Sequence, residues 1–184
     1  MSERLERYRE MRDFSKTPEP RGRGAAARPS MRYYIQRHDA TRLHYDFRLE
    51  VNGVLRSWAV PKGPSMDPAD KRLAVEVEDH ALSWGEFEGR IASGYGQGAV
   101  LVWDRGEFSP RGEVPFDRAL AEGHASFELR GEKLRGGFTL RRIHRGDKPQ
   151  WLLIKRRDEH ARDGDDITAQ RPESVVSGRT IEDV

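Results

Sequence analysis

There is no cysteine among the 184 residues. That excludes disulfides, thiolate metal sites and a cysteine nucleophile, and it is compatible with a reducing compartment. Long apolar runs are missing too. None approaches the ~18–20 residues that span a bilayer, and the N-terminus lacks a signal-peptide core, so a soluble, cytoplasmic protein is expected. Charge of one sign is also lacking: 33 Lys and Arg stand against 31 Asp and Glu, a formal net charge of +2. Affinity for nucleic acid therefore has to come from local arrangement. Hydrophobic residues are 35% of the chain and aromatic residues 9%, which sets a modest core for one domain with appendages. No G-x-S-x-G elbow is present. "GYGQG" at 94–98 lacks a GK[ST] ending and a following helix, and reads as a turn.

What the chain does have is alternation. In "LHYDFRLEV", residues 43–51, Leu43, Tyr45, Phe47, Leu49 and Val51 share one parity, and His44, Asp46, Arg48 and Glu50 share the other. In a strand these are opposite faces, and neighbours on one face are roughly 6–7 Å apart at their bases. A His and an Asp at that spacing can converge on one ion. His38 lies just before the turn, close to the same surface. Two imidazoles and a carboxylate with open positions suit Mn²⁺, Zn²⁺ or Fe²⁺. A strand with a solvated polar face is equally consistent with this pattern.

"RLAVEVEDH", residues 72–80, repeats the design. Leu73, Val75, Val77 and Asp79 form one row, predicted to face inward. Arg72, Ala74, Glu76, Glu78 and His80 form the other, predicted to face outward. Burying that charged row would cost several kcal/mol per ion. Two such strands build one polar groove over a dry interior. Arg48, His80 and Lys62 are then available to a phosphate beside a metal. Trp58, Trp103 and Trp151 are predicted in the core or at its rim, while His124, His144 and His160 fall in turns or the tail.

Turn signals such as "VNGV" at 51–54 and "PKGP" at 61–64 punctuate the chain. They bound strand candidates at 32–37, 42–51, 54–60, 72–79, 98–104, 125–130, 136–143 and 150–156. One short helical segment is predicted at 115–123. The expected fold is all-β: a small closed or nearly closed barrel of about eight short strands with flexible N- and C-terminal tails. Residues 1–30 read as an arm and linker, 31–157 as the barrel domain and 158–184 as a polar tail.

Taken together, "YYIQRHDATRLHYDFRLEVNGVLRSWAVPKGPS", "RLAVEVEDHALSWGEFEG", "GYGQGAVLVWDRGEF" and "WLLIKRRDEHAR" make the chain resemble the 3′-phosphoesterase domain of bacterial and archaeal DNA ligase D, including its stand-alone homologues. The H-x5-H-x-D-x-R pattern at 38–48, followed by W-A-V-P-K-G and V-E-D-H, carries the likeness. The resemblance implies a β-barrel with a surface active site and Mn²⁺-dependent processing of DNA or mixed 3′ ends in break repair. A 3′-terminal ribonucleotide is trimmed to a 3′-phosphate, and the phosphate is then removed. It implies His38, His44 and Asp46 as metal ligands, and Arg48 and His80 as phosphate-contacting catalytic residues. Lys62, Arg72, Gln36 and Glu78 are implied as groove residues, and Asp13 and Glu19 as acidic positions of an N-terminal arm. Implied partners are a primer–template with a 3′-phosphate or 3′-ribonucleotide end, ligase or polymerase modules, and end-binding repair proteins. One position departs: four residues after His80 the family pattern has Tyr, and this chain has Trp84. A catalytically impaired 3′-end-binding module is therefore the alternative reading.

Overall fold

The computed structural model describes residues 31–92 and 97–184. Among the described residues nine strands run antiparallel: β1 (Met31–Asp39), β2 (Leu43–Val51), β3 (Val54–Val60), β4 (Lys71–His80), β5 (Gly89–Ile91), β6 (Gly98–Pro110), β7 (His124–Gly131), β8 (Arg135–His144) and β9 (Gln150–Lys155). Their order is β1-β2-β3-β4-β9-β8-β7-β6, and pairing of β6 with β1 closes the barrel. The three-residue β5 adds a short flap along β6. Helix α1 (Phe116–Glu122) plugs one end with Phe116 and Leu120, and a second short helix, α2, covers Ile167–Gln170. Among the described residues no helix is long and apolar enough to cross a membrane.

Local chemistry explains the pieces. Asn52 and Gly53 both adopt positive φ, 50° and 84°, which suits a two-residue primed turn and fixes the β2–β3 register. Tyr45, Phe47, Leu49 and Val51 point into the core as alternation predicts, while Leu43, at the strand's open end, is exposed. Trp58, Trp103 and Trp151 are fully buried, and such aromatics dominate the burial energy of a small core.

The β4 expectation is only half met. Ala74 lies in the core, and Glu76 accepts a hydrogen bond from Trp151 Nε1 at 2.9 Å. Leu73 is 39% exposed and Val77 lines a surface cavity. The first half of β4 therefore has the opposite parity to the one predicted. A bulge reconciles the halves: Ser57 pairs with Val77 and Leu55 with His80, so β4 spends one extra residue there. A bulge re-aims the side chains after it, and Val77, Glu78 and His80 all reach the same cavity.

Residues 158–184 are fastened to the barrel, which corrects the flexible polar tail predicted for them. Ile167 and Ile181 join the core. Trp103 Nε1 donates to the Arg171 carbonyl at 2.7 Å, and the buried Lys133 ammonium donates to the Arg171 and Glu173 carbonyls. The cause is an edge left over. On the side away from β1, β6 pairs with β5 over residues 98–100 and with β7 over 106–110. Between them, the Val102 carbonyl accepts from Val175 N–H at 3.0 Å, so the C-terminal segment serves the open stretch. A polar composition hides this because backbone groups do the bonding.

Candidate active site

The β1–β2 ladder sets His38 opposite His44, Gln36 opposite Asp46 and Tyr34 opposite Arg48. Residues directly opposite share a face, so these side chains stand together on the outside of the barrel. β3 extends the row with Ala59 beside Asp46 and Ser57 beside Arg48. Together with β4 they line a cavity of about 270 Å³ that includes His38, His44, Asp46, Arg48, Glu78 and His80.

At its floor, His38, His44 and Asp46 offer one ligand atom each, all within 4.8 Å of one another. His44 Nε2 lies 3.2 Å from one Asp46 oxygen, and His38 Nδ1 lies 3.5 Å from the other. His44 Nδ1 sits 3.0 Å from the Arg42 carbonyl. A carbonyl only accepts, so that contact places the proton on Nδ1 and leaves Nε2 as the donor atom for a cation. Histidine ligands are commonly oriented this way. Burial pulls the His44 pKa down, but the hydrogen bond and charge of Asp46 outweigh it and hold the pKa above its ordinary value. Burial would likewise raise Asp46; Arg48, with His38 and His44, overrides that and holds the carboxyl well below the usual carboxylate range. Asp46 is thus ionised, and the carboxylate and two imidazoles converge on one point, a set that with neutral histidines fits a divalent transition metal.

Arg48 forms the next layer. Its Nε donates to Gln36 Oε1 at 2.7 Å, its Nη1 donates to Ser57 Oγ at 2.8 Å, and its Nη2 lies 3.4 Å from Asp46. Nη1 also meets His80 Nδ1 at 3.0 Å. A guanidinium only donates. The Glu78 carbonyl, 3.1 Å from the same Nδ1, only accepts, so this nitrogen sits between a donor and an acceptor. Gln36, wholly buried, donates from Nε2 to the carbonyls of Trp84 and Phe87 at 2.9 and 3.1 Å. One amide therefore fixes both the guanidinium and the 3₁₀ turn Leu82–Glu86. That turn can lie against β1 only because residue 85 is glycine: a Cβ there would meet the Tyr34 ring at 2.3 Å.

This constellation lies within the stretch that matches a known family: residues 36–142 match the family described as DNA Ligase D 3′-phosphoesterase domain. The chain belongs to that family. It is 52% identical over 186 residues to the multifunctional non-homologous end joining protein LigD of Pseudomonas aeruginosa, a match that covers 98% of this chain and 22% of the relative. It is 41% identical over 164 residues to the multifunctional non-homologous end joining DNA repair protein LigD of Mycobacterium tuberculosis, covering 86% of this chain and 20% of the relative. The chain thus spans about a fifth of the length of these relatives.

Among the residues that the LigD-type resemblance singles out, the structure unites His38, His44, Asp46, Arg48, Glu78, His80 and Trp84 around the cavity, with Gln36 behind them. Lys62 and Arg72 lie together elsewhere. Arg72 shares the parity of Ala74, and its Nη1 approaches the Lys62 carbonyl at 3.5 Å; neither side chain lines the cavity. Asp13 and Glu19 lie outside the described residues, as do residues 94–96 of "GYGQG". Trp84 stacks with Phe87 at 4.4 Å and 8° between ring planes, and its ring lies 6.0 Å and 25° from that of His80. Sequence reasoning missed Ser57, the hydroxyl that holds Arg48. The signal was its place in the hairpin register fixed by Asn52–Gly53.

Proposed function

We propose that the protein is a metal-dependent phosphoesterase that processes 3′ ends of DNA, or of mixed RNA–DNA strands, in double-strand break repair by non-homologous end joining. Family membership supports the phosphoesterase chemistry and the repair setting. The observation that carries the finer reading is one cavity holding three convergent metal donors beside Arg48 and His80.

His38, His44 and Asp46 would hold the ion, taken here as Mn²⁺, which supplies Lewis acidity toward a phosphoryl oxygen when bound. The remaining work belongs to the chain. Arg48 brings a fixed positive charge whose Nε and Nη1 are already committed to Gln36 and Ser57. Its orientation is set before substrate arrives, so little reorganisation is needed as charge builds on the phosphorus oxygens. His80, whose Nδ1 is occupied by Arg48 and the Glu78 carbonyl, offers Nε2 to the substrate, and with that nitrogen protonated it donates to a phosphate or leaving oxygen. Asp46 keeps its charge in a buried place because the Arg48 guanidinium lies 3.4 Å away, and a bound ion would add to that stabilisation. On such a site a 3′-terminal ribonucleoside is released first, and the remaining 3′-phosphate second.

The test is a primer–template ending in a 3′ ribonucleotide or 3′-phosphate, incubated with Mn²⁺ or with EDTA and resolved by gel mobility. Shortening and dephosphorylation with Mn²⁺ alone are expected; no change under either condition rejects the proposal. Trp84 favours a second reading, an end-binding module with impaired turnover, because an indole has no hydroxyl to offer a phosphate. Tight binding of the recessed end without product would select it.

A further inference from the structure

Strand β5 has two faces with different duties. Ile91 lines the cavity, and just before the strand Phe87 backs Trp84, which also lines it. The alternate residues Glu88 and Arg90 turn the other way, to the C-terminal segment. Glu88 accepts hydrogen bonds from Ser174 Oγ at 2.5 Å, from Ser177 Oγ, and from Val102 N–H at 2.9 Å. Arg90 Nη2 donates to the Val184 carbonyl at 3.0 Å. β5 itself is only three residues long and pairs with β6 alone. So short a strand, bonded along one edge, has little intrinsic hold on its position. Ser174 is in turn fixed by the barrel, since Ser174 N–H bonds the Arg179 carbonyl and the next residue, Val175, bonds Val102.

We propose that Glu88 is a positioning residue: through it residues 174–177 set the Trp84–Ile91 wall of the cavity, and with it the grip on the nucleoside end of the substrate. The chemistry of that wall decides the ligand portion. Trp84, Ile91 and Val100 are apolar, and they face the metal donors, Arg48 and His80 across the same cavity. The polar side suits the phosphate, which leaves the sugar and base to the apolar side. Glu88 touches no part of the polar side. It is held ionised at its anchor points. Burial raises its pKa, but the two serine hydroxyls and the Val102 amide together hold it below the ordinary value.

This inference rests on the phosphoesterase reading for its substrate, so its test carries a readout that does not. Glu88→Ala, Glu88→Gln and the Ser174→Ala/Ser177→Ala pair are made in the full chain. Three quantities are compared with the parent: amide hydrogen exchange of residues 87–92, Kd for a recessed-end duplex in EDTA, and KM and kcat on that duplex with Mn²⁺. Glu88→Ala is expected to raise exchange at least tenfold, to weaken Kd and raise KM about five- to tenfold, and to leave kcat within twofold. Glu88→Gln, which keeps an acceptor for Val102, falls between. The serine pair reproduces the direction and adds little on top of Glu88→Ala. Unchanged exchange in both Glu88→Ala and the serine pair overturns the proposal, as does faster exchange with unchanged Kd. If the parent chain turns over no 3′ end, the phosphoesterase reading fails, while exchange and Kd still decide the role of Glu88.

Discussion

At the scale of single residues, the proposed function divides the site into groups that would hold an ion and groups that would meet the substrate. His44 belongs to the first. Its removal takes away a half-buried surface ligand and no core contact. His44→Ala is expected to weaken Mn²⁺ binding at least 100-fold by calorimetry and to abolish 3′-end processing, with the far-ultraviolet dichroism of the barrel unchanged. Trp84 stands on the apolar wall, at the position where the family pattern has Tyr. Phe87 stacks on it at 4.4 Å and His80 lies alongside at 6.0 Å, and its indole has no hydroxyl to offer a phosphate. The expected consequence is selective: ribonucleoside release proceeds while 3′-phosphate release is slow. Trp84→Tyr, which restores a hydroxyl, should speed the second step by severalfold and the first by less than twofold. Equal rates for the two steps in the parent, unchanged in the variant, would leave Trp84 without a selective role.

At the scale of elements, what could be read in advance depended on how local the determinants were. His44, Asp46 and Arg48 sit on one strand, so period two placed them on one face, and the short turn of the hairpin brings His38 opposite His44. β4 resisted the same reasoning. "LAVEVEDH" alternates cleanly, and alternation says which residues go together without saying which set goes inward. Trp151 decided that by taking Glu76 as its acceptor, and the bulge then returned His80 to the groove. β5 was invisible because "GRI" has no period. The end of β9 hides a further pair. Lys155 is fully buried and its ammonium meets Asp158 at 2.6 Å, while Asp158 also accepts from Gly137 N–H at 2.8 Å. Breaking a fully enclosed pair costs about 3–5 kcal/mol; with Asp158 still 28% exposed, Asp158→Ala is expected to lose roughly 2–3 kcal/mol in urea unfolding. The pair also fixes an acid limb. Burial would raise the Asp158 pKa, but the Gly137 amide, Lys155 and the His160 amide lower it to about 2. A depressed carboxyl contributes stability that is present above its unfolded pKa and lost as pH falls through the folded one. The melting temperature should therefore drop between about pH 4 and pH 2 by more in the parent than in Asp158→Asn.

At the scale of the whole molecule, a near-neutral chain that binds a polyanion needs a local source of positive charge; the cavity lining sets Arg48 against Asp46 and Glu78, so a bound ion would supply the balance. Binding should weaken with salt, because cations that replace counterions on phosphates set a slope in log[salt]. The cavity is backed by the apolar Trp84–Ile91 wall and is open on one outer face of the barrel, a shape that fits a strand terminus. A recessed 3′ end on a duplex is expected to be processed faster than the same end on a single strand. Equal initial rates on the two, measured at subsaturating substrate, would count against this preference.

Barrel closure has a consequence in time. The ladder that seals the barrel pairs Met31 with Phe108 and Asp39 with Ala99, partners far apart along the chain, whereas the β1–β2 hairpin needs only neighbours. Loop-closure entropy makes distant pairing the slower event. The three metal donors are thus assembled early, on a ribbon still open along one edge, and the wall that shapes the cavity arrives last with β6 and the C-terminal segment. A refolding chain is therefore expected to bind Mn²⁺ before it binds a 3′ end, and ion uptake that lags barrel closure in stopped-flow refolding would contradict this order.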